Sequence, residues 1–553
     1  MILSWLRRAW STMLVVACAL TIGASPPPAG NPVSDAIRNR VQSISAGKPV
    51  VVAGEAISAR TLLLEFYRQR EYRSAWTERK HIDALLAAIR GVDADGLRPT
   101  DYHLDALQRA LAPDLASSAP DAKADLDLLL TDGLIRLAHH LALGKVDPEQ
   151  LDPNWNASRK IGKQTAVEWL TSSLASHDLG AAIDRLRPTR AYYRRLMQTL
   201  QWYRGIRDRG GWPTIPAGAT LQEGARDPRV GAVRRRLMVT GDLPGSMPAD
   251  SLLFNSTVAA AVRRFQYRAF LTPDGSVGPA TARAMNFSPE QRIDQVRVDL
   301  ERARWVMHEL PSRFVLVNIS SFLVYFVDQD SITWRARCQV GKVARKTPIF
   351  RSEMTYLVFN PDWTVPAGIL NKDILPGLRR GEPVLQRKGL KAYDSKGRVV
   401  NPASVRWPSS AKNLPYTIRQ EPGPKNALGV VKFMFPNKHS VYLHDTPSKD
   451  LFEHDKRTFS SGCIRVEHPL DLAERVLANP TKWSPAEIRK VVDAGKMRTI
   501  NLDKPLPVLL LYWTVSIDDK GLVRFSDDVY DRDAPVLRAL NAPYRFASTQ
   551  AKR

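Results

Sequence analysis

Cysteine is scarce in this chain of 553 residues: Cys18, Cys338 and Cys463 are the whole supply. A disulfide framework has almost nothing to build with, so a mature chain either forms the one bridge Cys338–Cys463 or keeps Cys463 free, and the free thiol is the favoured reading. Neither Cys-x-x-Cys nor His-Glu-x-x-His occurs, so the usual zinc motifs are missing and no metal is expected. No low-complexity tract or repeat points to a solenoid. Acidic residues are also short, 56 Asp and Glu against 80 Lys and Arg, for a formal charge of +24. Such a charge draws polyanions through a long-range field that salt weakens. The basic residues are dispersed and no nucleic-acid recognition motif accompanies them. A carboxylate-rich partner is therefore expected rather than nucleic acid, with a generally basic, solvated surface as the plain alternative.

At the amino end, Trp5-Leu6-Arg7-Arg8 and the apolar run from Met13 to Ile22 have the layout of an export signal, with cleavage after Ala24. Retention as an inner-membrane anchor is the alternative, because residues 5–24 approach a spanning length. A linker rich in Pro and Ser covers 25–58. Leu126, Leu129, Leu130, Leu134, Leu137 and Leu141 recur at helical spacing, which predicts a helical unit over 59–205. A second unit, 221–288, places Val258, Val262, Phe265 and Gln266 on one helix face, before an Asp274-Gly275 turn and a helix start at Gly278-Pro279. Residues 289–310 read as a connecting helix. From Phe314 the pattern changes to strands, at 314–319 and 322–327, opening a unit over 311–503. Alternation from Trp334 to Val340 turns Cys338 inward. Residues 507–515 and 522–525 read as a closing hairpin of the same sheet system, in an extension over 504–553. The fold class is multidomain α+β.

Cys463 lies in Phe459-Ser460-Ser461-Gly462-Cys463-Ile464-Arg465-Val466, nineteen positions after His444 in Tyr442-Leu443-His444-Asp445-Thr446. A thiol of pKa about 8.5 needs an imidazole, a cation or a helix amino end to ionise near neutrality, and His444 supplies the imidazole. A lone cysteine is usually a small apolar core residue; its flanking residues reverse that reading. Residues 431–435 and 440–443 read as strands joined at Pro436-Asn437, with His444 ending the second, and a helix is predicted from Pro469. Cys463 is thus expected between a strand and a helix, where Gly462 permits an unusual turn and leaves amides free for a developing oxyanion. His454 is nearer in sequence but sits in the charged stretch Glu453-His454-Asp455-Lys456-Arg457. His139-His140 cannot share a helix face and reads as a surface pair. Ser409-Ser410-Ala411-Lys412 matches a serine acyltransferase pattern but lacks its companions; Lys346-Thr347-Pro348 has no glycine at its end.

These two segments resemble the active-site signature of the L,D-transpeptidases, enzymes that cross-link bacterial peptidoglycan. The family commonly shows His-Gly-Thr and Ser-His-Gly-Cys-x-Arg; here Asp445 stands for the glycine and Ser461 for the second histidine, the latter familiar in the large periplasmic subtype. Asn360-Pro361-Asp362-Trp363-Thr364-Val365-Pro366 and Pro422-Gly423-Pro424-Lys425-Asn426-Ala427-Leu428-Gly429 resemble the same subtype, and Asp95 to Tyr102 resembles a phrase of its amino-terminal scaffold. The resemblance implies a helical scaffold domain, a small three-helix peptidoglycan-binding domain at 221–288, and a mainly β catalytic domain whose polar insertion, 369–420, is a mobile cap.

It also implies roles. Cys463 is the nucleophile and His444 the general base and acid, oriented by the main-chain carbonyl of Asp445. The amides of Gly462 and Cys463 hold the oxyanion. Tyr442 lines the donor pocket; Arg465 either holds a substrate carboxylate or braces its loop; Ser460 and Ser461 bind substrate or merely form the turn; Trp363 is pocket wall or stacking surface. No cofactor is called for. The expected partners are a donor tetrapeptide stem, an acceptor stem and cell-wall synthases, in the periplasm. The product is a 3-3 cross-link between diaminopimelate residues, with L,D-carboxypeptidase activity, attachment of a protein to the wall, or an inactive wall-binding module as alternatives.

Overall fold

The computed structural model describes residues 31–45, 51–112, 118–157, 164–518 and 520–544. The export-signal reading of residues 1–24 lies outside the described residues. Among them, no helix is long and apolar enough to cross a membrane.

The amino-terminal region is helical because its apolar residues wrap almost fully around one rod. In the helix Pro120–Leu143, Leu128, Leu129, Leu130, Leu134, Leu137 and Leu141 are all buried, and helices Pro32–Ser45, Arg60–Gln69 and Arg79–Gly91 pack against it. A rod buried on this many sides has little solvent face to offer. The surface reading of His139-His140 therefore fails for His140, which is buried with its Nδ1 2.9 Å from the Tyr102 hydroxyl. Among the described residues no group of His, Cys, Asp or Glu is arranged to hold a metal.

The same apolar core continues through Ile293, Val296 and Leu300 of the helix Pro289–Val306 into Val515, Phe525, Val536 and Leu540. Three further helices, Arg229–Val239, Ser256–Arg268 and Pro279–Met285, close over a separate core of Val230, Val233, Val258, Val262, Phe265 and Met285. Gln266 is buried beside them, and its side-chain amide holds the predicted turn by donating to Asp274 at 2.7 Å and accepting the Gly275 N–H at 2.9 Å.

The remaining chain builds a nine-stranded sheet from β1 (Phe314–Asn318), β2 (Leu323–Asp328), β3 (Ser331–Gly341), β4 (Phe350–Phe359), β5 (Val431–Met434), β6 (Leu443–His444), β7 (Thr458–Ser460), β8 (Ile464–Val466) and β9 (Arg498–Leu511). Their spatial order is β7-β3-β8-β6-β5-β4-β9-β1-β2, and β2 also pairs with β3, so the sheet curls back on itself. Period-two alternation sorts the faces: Cys338, Leu357, Phe433, Leu443 and Ile464 enter the core, while Lys432, His444 and Arg465 take the opposite side.

One expectation changes. Residues 507–511 end β9 inside this sheet, and the hairpin is a separate pair, Val515–Ile517 with Val523–Phe525. The run breaks at Trp513, whose main-chain N–H and C=O are both taken by the Asn318 side chain, at 3.0 and 2.9 Å. The polar insertion is a folded unit. Strands Trp363–Thr364, Lys391–Tyr393, Val399–Val400 and Thr417–Gln420 form a four-stranded sheet, over a core of Leu370, Ile374, Leu375, Leu385 and Ile418. Its two ends are tied by Asn426, whose side chain donates to the Pro361 and Glu421 carbonyls at 3.0 and 2.8 Å.

Candidate active site

β6 and β8 run parallel, with His444 beside Arg465 and Leu443 beside Ile464. The Ile464 N–H donates to the Tyr442 carbonyl at 3.1 Å, which continues the register and sets Cys463 alongside Tyr442. Alternate residues share a face, so Tyr442 and His444 on one strand line up with Cys463 and Arg465 on the next. Cys463 lies in a three-residue link between β7 and β8, and the helix Pro469–Leu477 begins only after β8. The strand-to-helix placement is corrected by that one short strand, which the three residues Ile464-Arg465-Val466 are too few to announce by pattern.

Cys463 is half-buried and unpaired. Burial pushes its thiol up to about 11, against an opposing pull from the Tyr442 main-chain N–H, the Arg465 charge and the Tyr442 phenol. The neutral thiol donates to the Ser440 carbonyl at 3.7 Å. Ser440 takes a left-handed conformation (φ +55°), in a turn framed by Asn437, whose Oδ1 accepts the His439 and Val441 N–H groups at 3.0 and 3.1 Å. Tyr442, expected only to line the pocket, thus touches the sulfur. Its phenol is held well above the usual value by burial and by the neighbouring thiol, and it also meets the Trp363 indole at the edge of the cap.

His444 is buried, and its Nδ1 lies 2.5 Å from the Asp445 carbonyl oxygen. A carbonyl only accepts, so Nδ1 carries the proton and Nε2 keeps the lone pair. Burial, then the Arg465 charge, lower its pKa to about 3, with Lys432 and Lys449 acting the same way. At rest the imidazole and the thiol are both neutral.

Asp445 does not have the left-handed backbone that would call for glycine. Its carboxylate accepts the Val430 N–H at 2.9 Å and pairs with Lys449. The side chain fills the space over Gly429 (φ +60°), where a Cβ would collide with it. The departure from the common motif is thereby matched by a glycine sixteen residues earlier.

The nucleophile loop is braced from inside. Buried Ser460 accepts the Gly462 N–H at 3.0 Å and donates to the Cys463 carbonyl at 2.5 Å. The Gly462 amide is therefore engaged, whereas the Cys463 N–H has no hydrogen-bond partner among the described residues. Thr347, buried, donates to the Gly462 carbonyl at 2.8 Å and accepts the Gly341 N–H at 2.9 Å. In a planar trans peptide C=O and N–H point oppositely, so Thr347 aims the Cys463 N–H to the other side. Tyr530 completes the brace, its hydroxyl accepting the Thr347 N–H at 3.2 Å and donating to the Gly341 carbonyl. Sequence reasoning missed both residues, which lie far from Cys463 in the chain and belong to no local motif.

Ser461 is exposed and accepts from Arg345 at 2.8 Å; the same guanidinium grips Asp373 of the cap with both nitrogens, at 2.6 and 2.8 Å. Arg465 spends one N–H on Gln339 at 3.1 Å, and its buried Nε has no partner among the described residues. The rival sites are not assembled. Ser409, the serine of that pattern, is exposed, Ser410 caps a short turn by accepting the Lys412 N–H, and His454 is exposed, its ring against Phe459.

Residues 312–492 match the model of the L,D-transpeptidase catalytic domain, 226–285 that of a peptidoglycan binding domain and 61–200 that of a scaffold domain. A Haemophilus influenzae protein provisionally named an L,D-transpeptidase is 36% identical over 220 residues, 39% of this chain and 44% of that protein. The chain thus matches less than half the length of this curated relative. Crystal structures of L,D-transpeptidases from Stackebrandtia nassauensis and Xylanimonas cellulosilytica are 13% and 15% identical, each covering 54% of this chain and 96% and 99% of their own, with TM-scores of 0.21 and 0.18. Likeness that slight supports no statement about the chemistry of this chain.

Proposed function

Since the chain belongs to the L,D-transpeptidase family through its catalytic domain, we propose that it forms 3-3 cross-links between diaminopimelate residues of peptidoglycan stems, in the periplasm, through a cysteine thioester. The supporting observation is the thiol of Cys463 in the link that enters β8, the strand beside an imidazole whose Nδ1–H is tied to a carbonyl, leaving Nε2 as the base.

Cys463 attacks the carbonyl joining diaminopimelate to the terminal D-alanine of a donor tetrapeptide while His444 Nε2 takes the thiol proton. The Cys463 amide meets the developing oxyanion. On collapse the C–N bond breaks, D-alanine leaves with the proton from His444, and a C–S thioester remains. The side-chain amine of a second diaminopimelate then attacks, losing its proton to His444, and the C–S bond breaks as the new C–N bond forms. One peptide bond is exchanged for another, so no nucleotide is required. The three-helix domain would hold the enzyme on the glycan it modifies.

The test is mass spectrometry of products from purified tetrapeptide muropeptides. Cross-linked dimer and free D-alanine are expected from the wild type, and neither from Cys463→Ala. Tripeptide without dimer would mean that water resolves the thioester, and amide-linked protein that a protein amine does. A carbapenem is expected to add once, at Cys463; an adduct at Ser409 would overturn the cysteine mechanism.

A further inference from the structure

His444 does not stand alone on its face of the sheet. Lys432 on β5 is its cross-strand partner on one side and Arg465 on β8 on the other, with Gln339 of β3 beyond Arg465. Directly paired residues project to the same face, so a single row, Lys432-His444-Arg465-Gln339, crosses four strands next to the sulfur.

Lys432 is half-buried, and its ammonium has no hydrogen bond or ion pair among the described residues. The acid that acts on it is Asp362, whose carboxylate is also shared with Arg419 at 3.4 Å. Keeping an unpaired ammonium partly out of water is costly, and among the described residues only the attraction of Asp362 offsets that cost. Across the imidazole, Arg465 holds a buried, unpartnered Nε. Two cations with unused donors thus stand on the strands either side of the imidazole.

Resting on the reaction assigned above, we infer that Lys432, with Arg465, receives the carboxylate borne by the carbon next to the amine that leaves or enters at His444. The leaving D-alanine carries amine and carboxylate on one carbon. So does the entering end of diaminopimelate. Bond lengths put a carboxylate oxygen about 3 Å from such an amine nitrogen, and neighbouring strands lie about 5 Å apart. A carboxylate attached to an amine at Nε2 is therefore within reach of a side chain on the next strand. One cationic site serves both half-reactions and selects donors with a free C-terminal carboxylate.

The test uses the full-length enzyme and two donors, the tetrapeptide stem and its C-terminal D-alaninamide analogue, with release of D-alanine or D-alaninamide measured. The readout is the ratio of kcat/KM values, which is independent of how much of a variant is folded. The wild type is expected to prefer the carboxylate donor about 10- to 100-fold, the range of a hydrogen bond to a charged group. Lys432→Met is expected to bring the ratio close to one and Lys432→Arg to restore most of it. A wild type that releases product from neither donor overturns the transpeptidase reading itself. Release from both at equal efficiency, or a Lys432→Met enzyme with the wild-type ratio, overturns the role of Lys432 and leaves that reading standing.

Discussion

The resting charge state of the Cys463-His444 pair can be measured directly. With the thiol at about 11, only about one molecule in 10⁴ carries a thiolate at pH 7. Moving the proton from that thiol to an imidazole near 3 is uphill by about 11 kcal/mol, at 1.36 kcal/mol per pKa unit. Attraction between two such charges about 4 Å apart would offset about 4 kcal/mol at an effective dielectric of 20. The remaining ~7 kcal/mol sits well under the roughly 16 kcal/mol barrier of an enzyme turning over about ten times a second. A neutral pair at rest is thus compatible with catalysis, the thiolate forming as the substrate is attacked. The assay is alkylation by iodoacetamide, followed by peptide mapping between pH 5 and 11. Cys338 is fully buried and stays unlabelled in the folded protein. Modification of Cys463 is expected to rise about tenfold per pH unit from neutrality toward pH 10, with no step near the ordinary histidine range. Tyr442→Phe removes a donor that favours the thiolate, so its curve is displaced to higher pH by about one unit. A plateau of reactivity below pH 8, or a Tyr442→Phe curve displaced to lower pH, would refute this reasoning.

Thr347→Val removes the hydroxyl that fixes the Gly462–Cys463 peptide; kcat is expected to fall about 10- to 100-fold with KM nearly unchanged, in steady-state D-alanine release. Arg345→Ala unties Ser461 from Asp373, so KM is expected to rise more than kcat falls, with faster deuterium uptake across residues 370–379. Gly429→Ala forces a Cβ into Asp445 at a left-handed position and is expected to cost about 2–4 kcal/mol in chemical denaturation. Adding Asp445→Gly should recover part of that loss, whereas Asp445→Gly alone leaves the Val430 N–H unmatched at about 1–3 kcal/mol.

Cys463 and His444 were legible because their chemistry is local: a thiol in a Gly-bearing link and an imidazole at a strand end lie within twenty residues. The helical regions were legible for a similar reason, since leucines such as Leu130 and Leu137 repeat at the period of the element they build. What escaped is what depends on long-range pairing. Thr347 looked like a fragment of an unrelated motif, and its role appears only when β3 and β7 bring Gly341 and Gly462 together. Gly462 was read as an oxyanion donor because a sequence shows that an amide exists, not that Ser460 has taken it. The cap read as a polar loop because its apolar residues, Leu370, Ile374, Leu385 and Ile418, are spread over short elements with no sustained period. Lys432 passed as one polar position on a strand until its neighbour across the ladder proved to be His444.

The helix Pro289–Val306 and the segment after β9 share one apolar interior with the amino-terminal helices, and Tyr530 of that same segment supports the loop of the nucleophile. A cut at residue 312, where the catalytic fold starts, would therefore not sever a tether. It would keep the reacting groups while tearing an oily seam open behind them, and if the end at residue 492 were trimmed as well, the prop under Thr347 would go too. Among the described residues, the catalytic sheet and the amino-terminal helices are thus joined through a common interior rather than by a linker alone.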